Sequence, residues 1–250
     1  MCSPCTVDIA SLPLGCTDKP LLKTNEQTNS KAEGDLLGNE EDLKFDLEVV
    51  FKGFQDCKKE DGQLHLAGYL RAYREVNKFF QILGSVFNFV ASDVTKKINI
   101  LQCYRMGGQG DYYFTIQSML EYEQENNILQ SKDQQSGSRT LLRLHRALEF
   151  IMGFLSELHK ADPETKLGGV ASEVYNRTLA KHHGWIVVKT VGAVLYMMPT
   201  KQTIIDRVCG GSQAIKEHNE RMMLQAIEAM NSVYNLTQKL YEDYNCLDLP

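Results

Sequence analysis

From Leu43 to the last residue, apolar side chains return every three or four positions, and nowhere do they alternate with the two-residue period of a strand flanked by hairpin turns. A chain patterned this way buries its apolar stripes against other helices, so the fold class is all-α. Leu43, Leu47, Val50, Phe51 and Phe54 mark a first helix, and a polar break at 58–62 ends it. Residues 64–73 read as a second helix. Residues 79–104 read as one long helix, closed by Gly107 and Gly108. Further helices are expected over 115–129, 139–159, 168–182, 185–198, 200–208 and 215–244. Ile186, Val187, Val188 and Val191 would suit a strand, but no partner strand exists. Segment 185–198 therefore reads as a helix, and as the most deeply buried one.

Residues 1–42 differ from the rest. They are rich in Ser, Thr, Asn, Gly, Lys and Glu without periodicity, which predicts a disordered leader. Residues 43–250 then form one domain. The formal net charge of −5 gives no global positive field for nucleic acid, so any anion site must be a local basic cluster. The seven cysteines are irregularly spaced, and Cys2–Cys5 is a CxxC pair that no second pair answers. Reduced thiols and no metal site are the expectation. The N-terminus lacks a basic segment followed by an apolar run, so no secretory signal is read. The most apolar stretch, 185–198, is cut by Lys189 and stopped by Pro199, well short of the roughly 20 residues a membrane span needs. A monomer in the cytoplasm follows, with no nucleic-acid partner, meeting membranes only at their surface. There is no GxSxG elbow, no P-loop and no HExxH, which points away from an enzyme and from a cofactor.

Three groups of residues carry chemistry. Asp93 and Lys97 are four apart and share a helix face; on spacing alone they are also an ordinary surface ion pair. Arg139 and Arg143 are likewise four apart, near the N-terminal end of an apolar helix, where the dipole favours negative charge. Their placement suggests an anion held by two guanidinium forks, with free N–H groups of the helix start assisting. A solvated basic face or an interhelical salt bridge fits the same spacing. The pair His182-His183, ahead of Gly184 and Trp185, reads as a structural donor rather than a metal ligand.

Taken in order, these stretches resemble the glycolipid transfer protein family over residues 43–250. The carriers are the Asp93–Lys97 face, Arg139-Thr-Leu-Leu-Arg143-Leu-His-Arg-Ala-Leu148, His183-Gly-Trp185, the tail from Val233 to Tyr241, and Leu247-Asp-Leu-Pro250. The resemblance implies a two-layer sandwich of about eight helices with one lipid between the layers. It implies that Asp93 accepts from a sphingoid amide, that His183 donates to the acyl carbonyl, and that Lys97, Arg139 and Arg143 hold a phosphate. Sugar-binding members have Asn at the position of Lys97 and Trp at that of Arg143. Lys and Arg offer charge and donors only, which shifts the expected cargo from a glycolipid to ceramide-1-phosphate. Phe80, Phe87, Val90, Leu148, Phe154, Val187, Val191 and Leu195 are candidates to line an acyl-chain pocket, each equally a plain core residue. The expected function is transfer between Golgi, endosomal or plasma membrane surfaces. A lipid-sensing helical module and a glycosphingolipid carrier remain as alternatives.

Overall fold

A computed structural model describes residues 44–250; the expected disordered leader and the cysteines at 2, 5 and 16 lie outside them. The described residues form nine α-helices and no strand: α1 (Leu47–Cys57), α2 (Leu66–Ile82), α3 (Asn88–Met106), α4 (Ile116–Glu125), α5 (Gly137–Lys160), α6 (Leu167–Arg177), α7 (Trp185–Tyr196), α8 (Lys201–Cys209) and α9 (Gln213–Asp243). α1 lies against α2 and α9, α2 against α3, and both α3 and α9 against α5; α6 joins α5 to α7. The result is the expected two-layer helical sandwich, with nine α-helices among the described residues where the resemblance implied about eight.

The expected single helix over 79–104 is two helices. Gly84 has φ +121°, a conformation that L side chains rarely adopt, and it ends α2. A 3-10 turn at Ser85–Phe87 then leads into α3. Phe79 and Phe80 thus belong to α2, whose C-terminal turns extend beyond the 64–73 segment read from periodicity. Leu83 and Phe87, both buried, keep the apolar spacing continuous across the break, which is why the pattern conceals it.

Packing is densest between α1 and α2. Gly68 lets α2 approach α1 so closely that a Cβ there would sit 2.5 Å from the Cys57 backbone nitrogen. Tyr69 and Tyr73 stack with centroids 5.2 Å apart, and Phe54 meets both edge-on. The buried Tyr73 hydroxyl donates to the Leu144 carbonyl, which ties α2 to α5. Cys57, Cys209 and Cys246 are buried free thiols.

The segment read as most buried is the most exposed apolar one. On α7 and just beyond it, Trp185 is 68% exposed, Ile186 65%, Tyr196 84% and Met197 62%, and only Leu195 of the helix itself is buried. High apolarity with no polar face looks the same in sequence whether a helix is enclosed by protein or left uncovered.

His145, in the middle of α5, is 1% exposed. Its Nε2 lies 2.8 Å from Gln238 Oε1, and its ring stacks on Tyr234 at 4.3 Å. Burial depresses its pKa to about 4. The unfolded chain therefore binds a proton between pH 6.5 and 4 that the folded chain refuses, so stability is lost as pH falls through that window. His145→Gln should remove roughly 2–3 kcal/mol of the acid-dependent loss. Urea denaturation of both proteins at pH 7 and pH 4.5 measures it; an identical pH dependence would contradict the assignment.

Candidate functional site

The site is organised around the start of α5. Ser136 caps this helix, its hydroxyl accepting from the Arg139 backbone N–H at 2.9 Å. The Glu123 carboxylate from α4, fully buried, accepts from the Gly137 N–H at 2.6 Å, the Ser138 N–H at 3.1 Å, the Tyr113 hydroxyl at 3.0 Å and the Ser136 hydroxyl. The expectation that free N–H groups at this helix start would help bind an anion is therefore corrected. A protein carboxylate already occupies them, because a buried donor left without a partner costs about 1–3 kcal/mol. The same carboxylate supplies the negative charge that a helix N-terminus favours, and so offsets the two arginines that follow it.

Arg139 lies in the first turn and folds back onto the preceding loop, donating to the carbonyls of Ser131 and Gln134. Arg143, one turn later and exposed, donates to the Pro250 carbonyl at 3.2 Å. Arg146 donates to the carbonyls of Leu247 at 2.6 Å and Leu249 at 3.2 Å. Arg143 and Arg146 thus hold residues 247–250 against the face of α5 that carries the guanidinium groups.

α3 supplies the other half. Asn77 Nδ2 on α2 donates to Thr95 Oγ1 at 2.8 Å, which fixes the rotation of α3. Asp93 and Lys97 form the expected i,i+4 ion pair, but an asymmetric one: the Lys97 side chain is 15% exposed and that of Asp93 63%. The lysine side chain is largely covered while the carboxylate side chain is open to solvent, so this is more than a surface pair.

His183 follows the 3-10 turn Ala180–His182 and is half-buried, its Nδ1 2.7 Å from the Tyr175 hydroxyl on α6. Its pKa is lowered, first by burial; Asp93 opposes the shift, and Lys97 and Arg146 reinforce it. His183 is therefore near Asp93 and Lys97 of α3 and near Arg146 of α5. Arg143 in turn contributes to lowering the pKa of Arg146. Asp93, Lys97, His183, Arg146 and Arg143 thus form one electrostatic neighbourhood, and Arg139 stands one turn away along α5. Arg146 and Tyr175 were not singled out from the sequence. Arg146 could have been, since Arg139, Arg143 and Arg146 follow the i, i+4, i+7 spacing of one helix face. Tyr175 shows no signal in the sequence, because its role depends on where α6 meets the loop before α7.

Of the expected acyl-pocket residues, Phe80, Phe87, Leu148, Phe154 and Leu195 are buried, Val90 and Val191 half-buried, and Val187 44% exposed. A cavity of about 220 Å³ lies elsewhere, lined by Phe45, Phe79, Leu155, Ile204, Val208 and Met223 among others. A second cavity, of about 510 Å³, is lined by Phe51, Phe54, Lys58, Glu228 and Val233 among others, and none of the expected acyl-pocket residues borders either one.

The glycolipid transfer protein family model matches residues 64–210. The chain belongs to the glycolipid transfer protein family. Relatives agree over most of its length. The ceramide-1-phosphate transfer protein of rat is 34% identical over 212 residues, covering 82% of this chain and 97% of the relative. The crystal structure of the mouse ceramide-1-phosphate transfer protein without ligand superposes with a TM-score of 0.76 at 33% identity, covering 82% of this chain and all of that one. The human protein in complex with 2:0 ceramide-1-phosphate gives 0.75 at 31% identity, covering 83% and 100%. Among the described residues no helix is long and apolar enough to cross a membrane, as the sequence implied.

Glu123→Ala should leave four donors without their acceptor and destabilise the fold by about 3 kcal/mol or more. Chemical denaturation measures the loss, and a change below about 1 kcal/mol would show that water replaces the carboxylate without cost.

Proposed function

We propose that this family member carries ceramide-1-phosphate between membranes and catalyses no reaction. The observation that carries the proposal is the neighbourhood of Lys97, Arg143 and Arg146 around one carboxylate, Asp93, and one uncharged imidazole, His183. It is supported by the likeness to ceramide-1-phosphate transfer proteins along nearly their whole length.

In this reading Lys97, Arg139 and Arg143 form charge-assisted hydrogen bonds to the lipid phosphate, which must stay ionised and so needs cationic partners. Arg139 is held by the carbonyls of Ser131 and Gln134 and Arg143 by that of Pro250, and both exchange these acceptors for phosphate oxygens. Arg146 keeps its bonds to the C-terminal segment and adds positive field. Asp93 accepts from the sphingoid amide N–H; its charge disfavours phosphates that bring no such donor. The raised pKa of Tyr175 keeps its hydroxyl protonated. When that hydroxyl donates to Nδ1 of His183, Nε2 carries the ring proton and can donate to the acyl carbonyl.

The chains require shelter: removing about fourteen methylenes from water contributes roughly 11 kcal/mol at ~0.8 each. We place the chains between the layers, which part on loading. Phe80, Phe87, Val90, Leu148, Phe154, Val187, Val191 and Leu195 remain our candidates for the surfaces that then face the chains. The uncovered apolar face at Trp185, Ile186 and Tyr196 is where we place transient contact with the membrane, since amphipathic rings favour the interface. Lys189, whose ammonium lies 4.8 Å from the Trp185 ring, adds a cation suited to anionic lipid. We place the carrier at the cytoplasmic faces of Golgi, endosomal or plasma membranes, acting as a monomer.

Arg143→Leu should reduce vesicle-to-vesicle transfer of ceramide-1-phosphate to a few per cent of the parent while the thermal midpoint shifts little, because the side chain is exposed. Undiminished transfer by a folded variant would remove Arg143 from the site, and selective competition by galactosylceramide would favour a glycolipid cargo. Trp185→Ala should weaken binding to anionic vesicles several-fold without altering lipid selectivity; unchanged vesicle binding would place the membrane contact elsewhere.

A further inference from the structure

Away from the lipid site, three donors converge at the start of α1. Asp46 caps α1, Glu48 lies in its first turn, and His218 lies on α9. His218 Nε2 is 3.4 Å from Asp46 Oδ1 and 3.6 Å from Glu48 Oε2, and the three ligand atoms all lie within 4.8 Å of one another. We propose that this triad binds one divalent transition-metal ion of the zinc type.

Geometry and chemistry support the proposal separately. Zinc bonds to nitrogen and oxygen are about 2.0–2.2 Å, which at tetrahedral angles puts neighbouring donors roughly 3.3–3.6 Å apart. The two distances from His218 fall in that interval without rearrangement. One imidazole and two carboxylates suit zinc or a similar ion, whereas magnesium prefers oxygen donors in an octahedral set. All three side chains are partly exposed, so the ion can enter and water can complete its coordination.

The carboxylates are also held in advance. Asp46 Oδ1 accepts from the Glu48 N–H at 2.8 Å. The Asp46 N–H donates to Oε1 of Glu75, a buried residue of α2, at 2.8 Å. Between the two carboxylate residues Leu47 is buried, which fixes the backbone. Lys52 pairs with Oε1 of Glu48, leaving Oε2 toward His218. Separated in the chain by 172 residues, Asp46 and His218 have no spacing from which a metal site could be read, and none was expected. The ion would staple α1 to α9 beside the apolar cavity, whose walls include Phe45, Leu47 and Asn219.

The test is calorimetric titration of the full chain with zinc chloride. Cys2→Ser and Cys5→Ser are introduced first, because those thiols could chelate zinc independently. The expected result is one zinc bound per chain, no heat from magnesium chloride, and a thermal midpoint raised by zinc. His218→Gln keeps a polar side chain of similar reach but is a poor ligand. It should weaken zinc binding at least tenfold and abolish the thermal shift, while melting like its parent without metal. Absence of zinc uptake by the parent, or equal affinity in His218→Gln, would show that the triad is an ion pair and nothing more. If His218→Gln fails to melt cooperatively, Asp46→Asn and Glu48→Gln replace it under the same criterion.

Discussion

The architecture of the site depends on one buried carboxylate. Glu123 is withdrawn from water and accepts from two backbone N–H groups, a serine and a tyrosine at the point where α5 begins. Without it, that end would hold unpaired donors and the positive pole of the helix, with Arg139 and Arg143 immediately beyond. With it, the helix start is neutralised from within and its arginines can project toward other acceptors. The site is therefore a layered electrostatic arrangement: a buried anion behind the helix, cations along its face, and Asp93 opposite on α3. The Tyr241 hydroxyl, donating to the Ser138 carbonyl at 2.7 Å, bonds α9 to the same turn.

Much of the fold was legible because helical burial leaves a periodic trace. Val50 and Phe54 are wholly buried, as are Leu141 and Leu148, and all follow that trace. The hidden features are those that periodicity does not encode. The α2–α3 break lies at Gly84, where the apolar spacing runs on unbroken while the backbone turns. The exposure of α7 depends on what the rest of the protein leaves uncovered, and local apolarity records only that a surface prefers not to meet water.

The site was legible in a different way. Asp93 and Lys97 pair as their spacing implied, but their separation in sequence says nothing of which side chain is the more covered. Arg139 and Arg143 share the expected helix, whereas the acceptors that hold them come from a loop and from the C-terminal segment. Glu123 gave no sign of its role, since a glutamate on an amphipathic helix ordinarily faces water. Tyr175 and Arg146 gain their roles only where α6 and α5 converge on His183. The proposed assignment of the phosphate to Lys97, Arg139 and Arg143 thus combines the local chemistry of these side chains with the family relationship.

The central claim is that the phosphate, rather than the chains alone, determines what this protein holds. Equilibrium binding of ceramide-1-phosphate and of ceramide with identical chains tests it most directly, because the two lipids differ only in the group the basic residues are proposed to engage. The account predicts that ceramide binds at least about a hundredfold more weakly, a loss of roughly 2.7 kcal/mol or more, comparable to one or two charge-assisted hydrogen bonds. Equal affinities for the two lipids would contradict it.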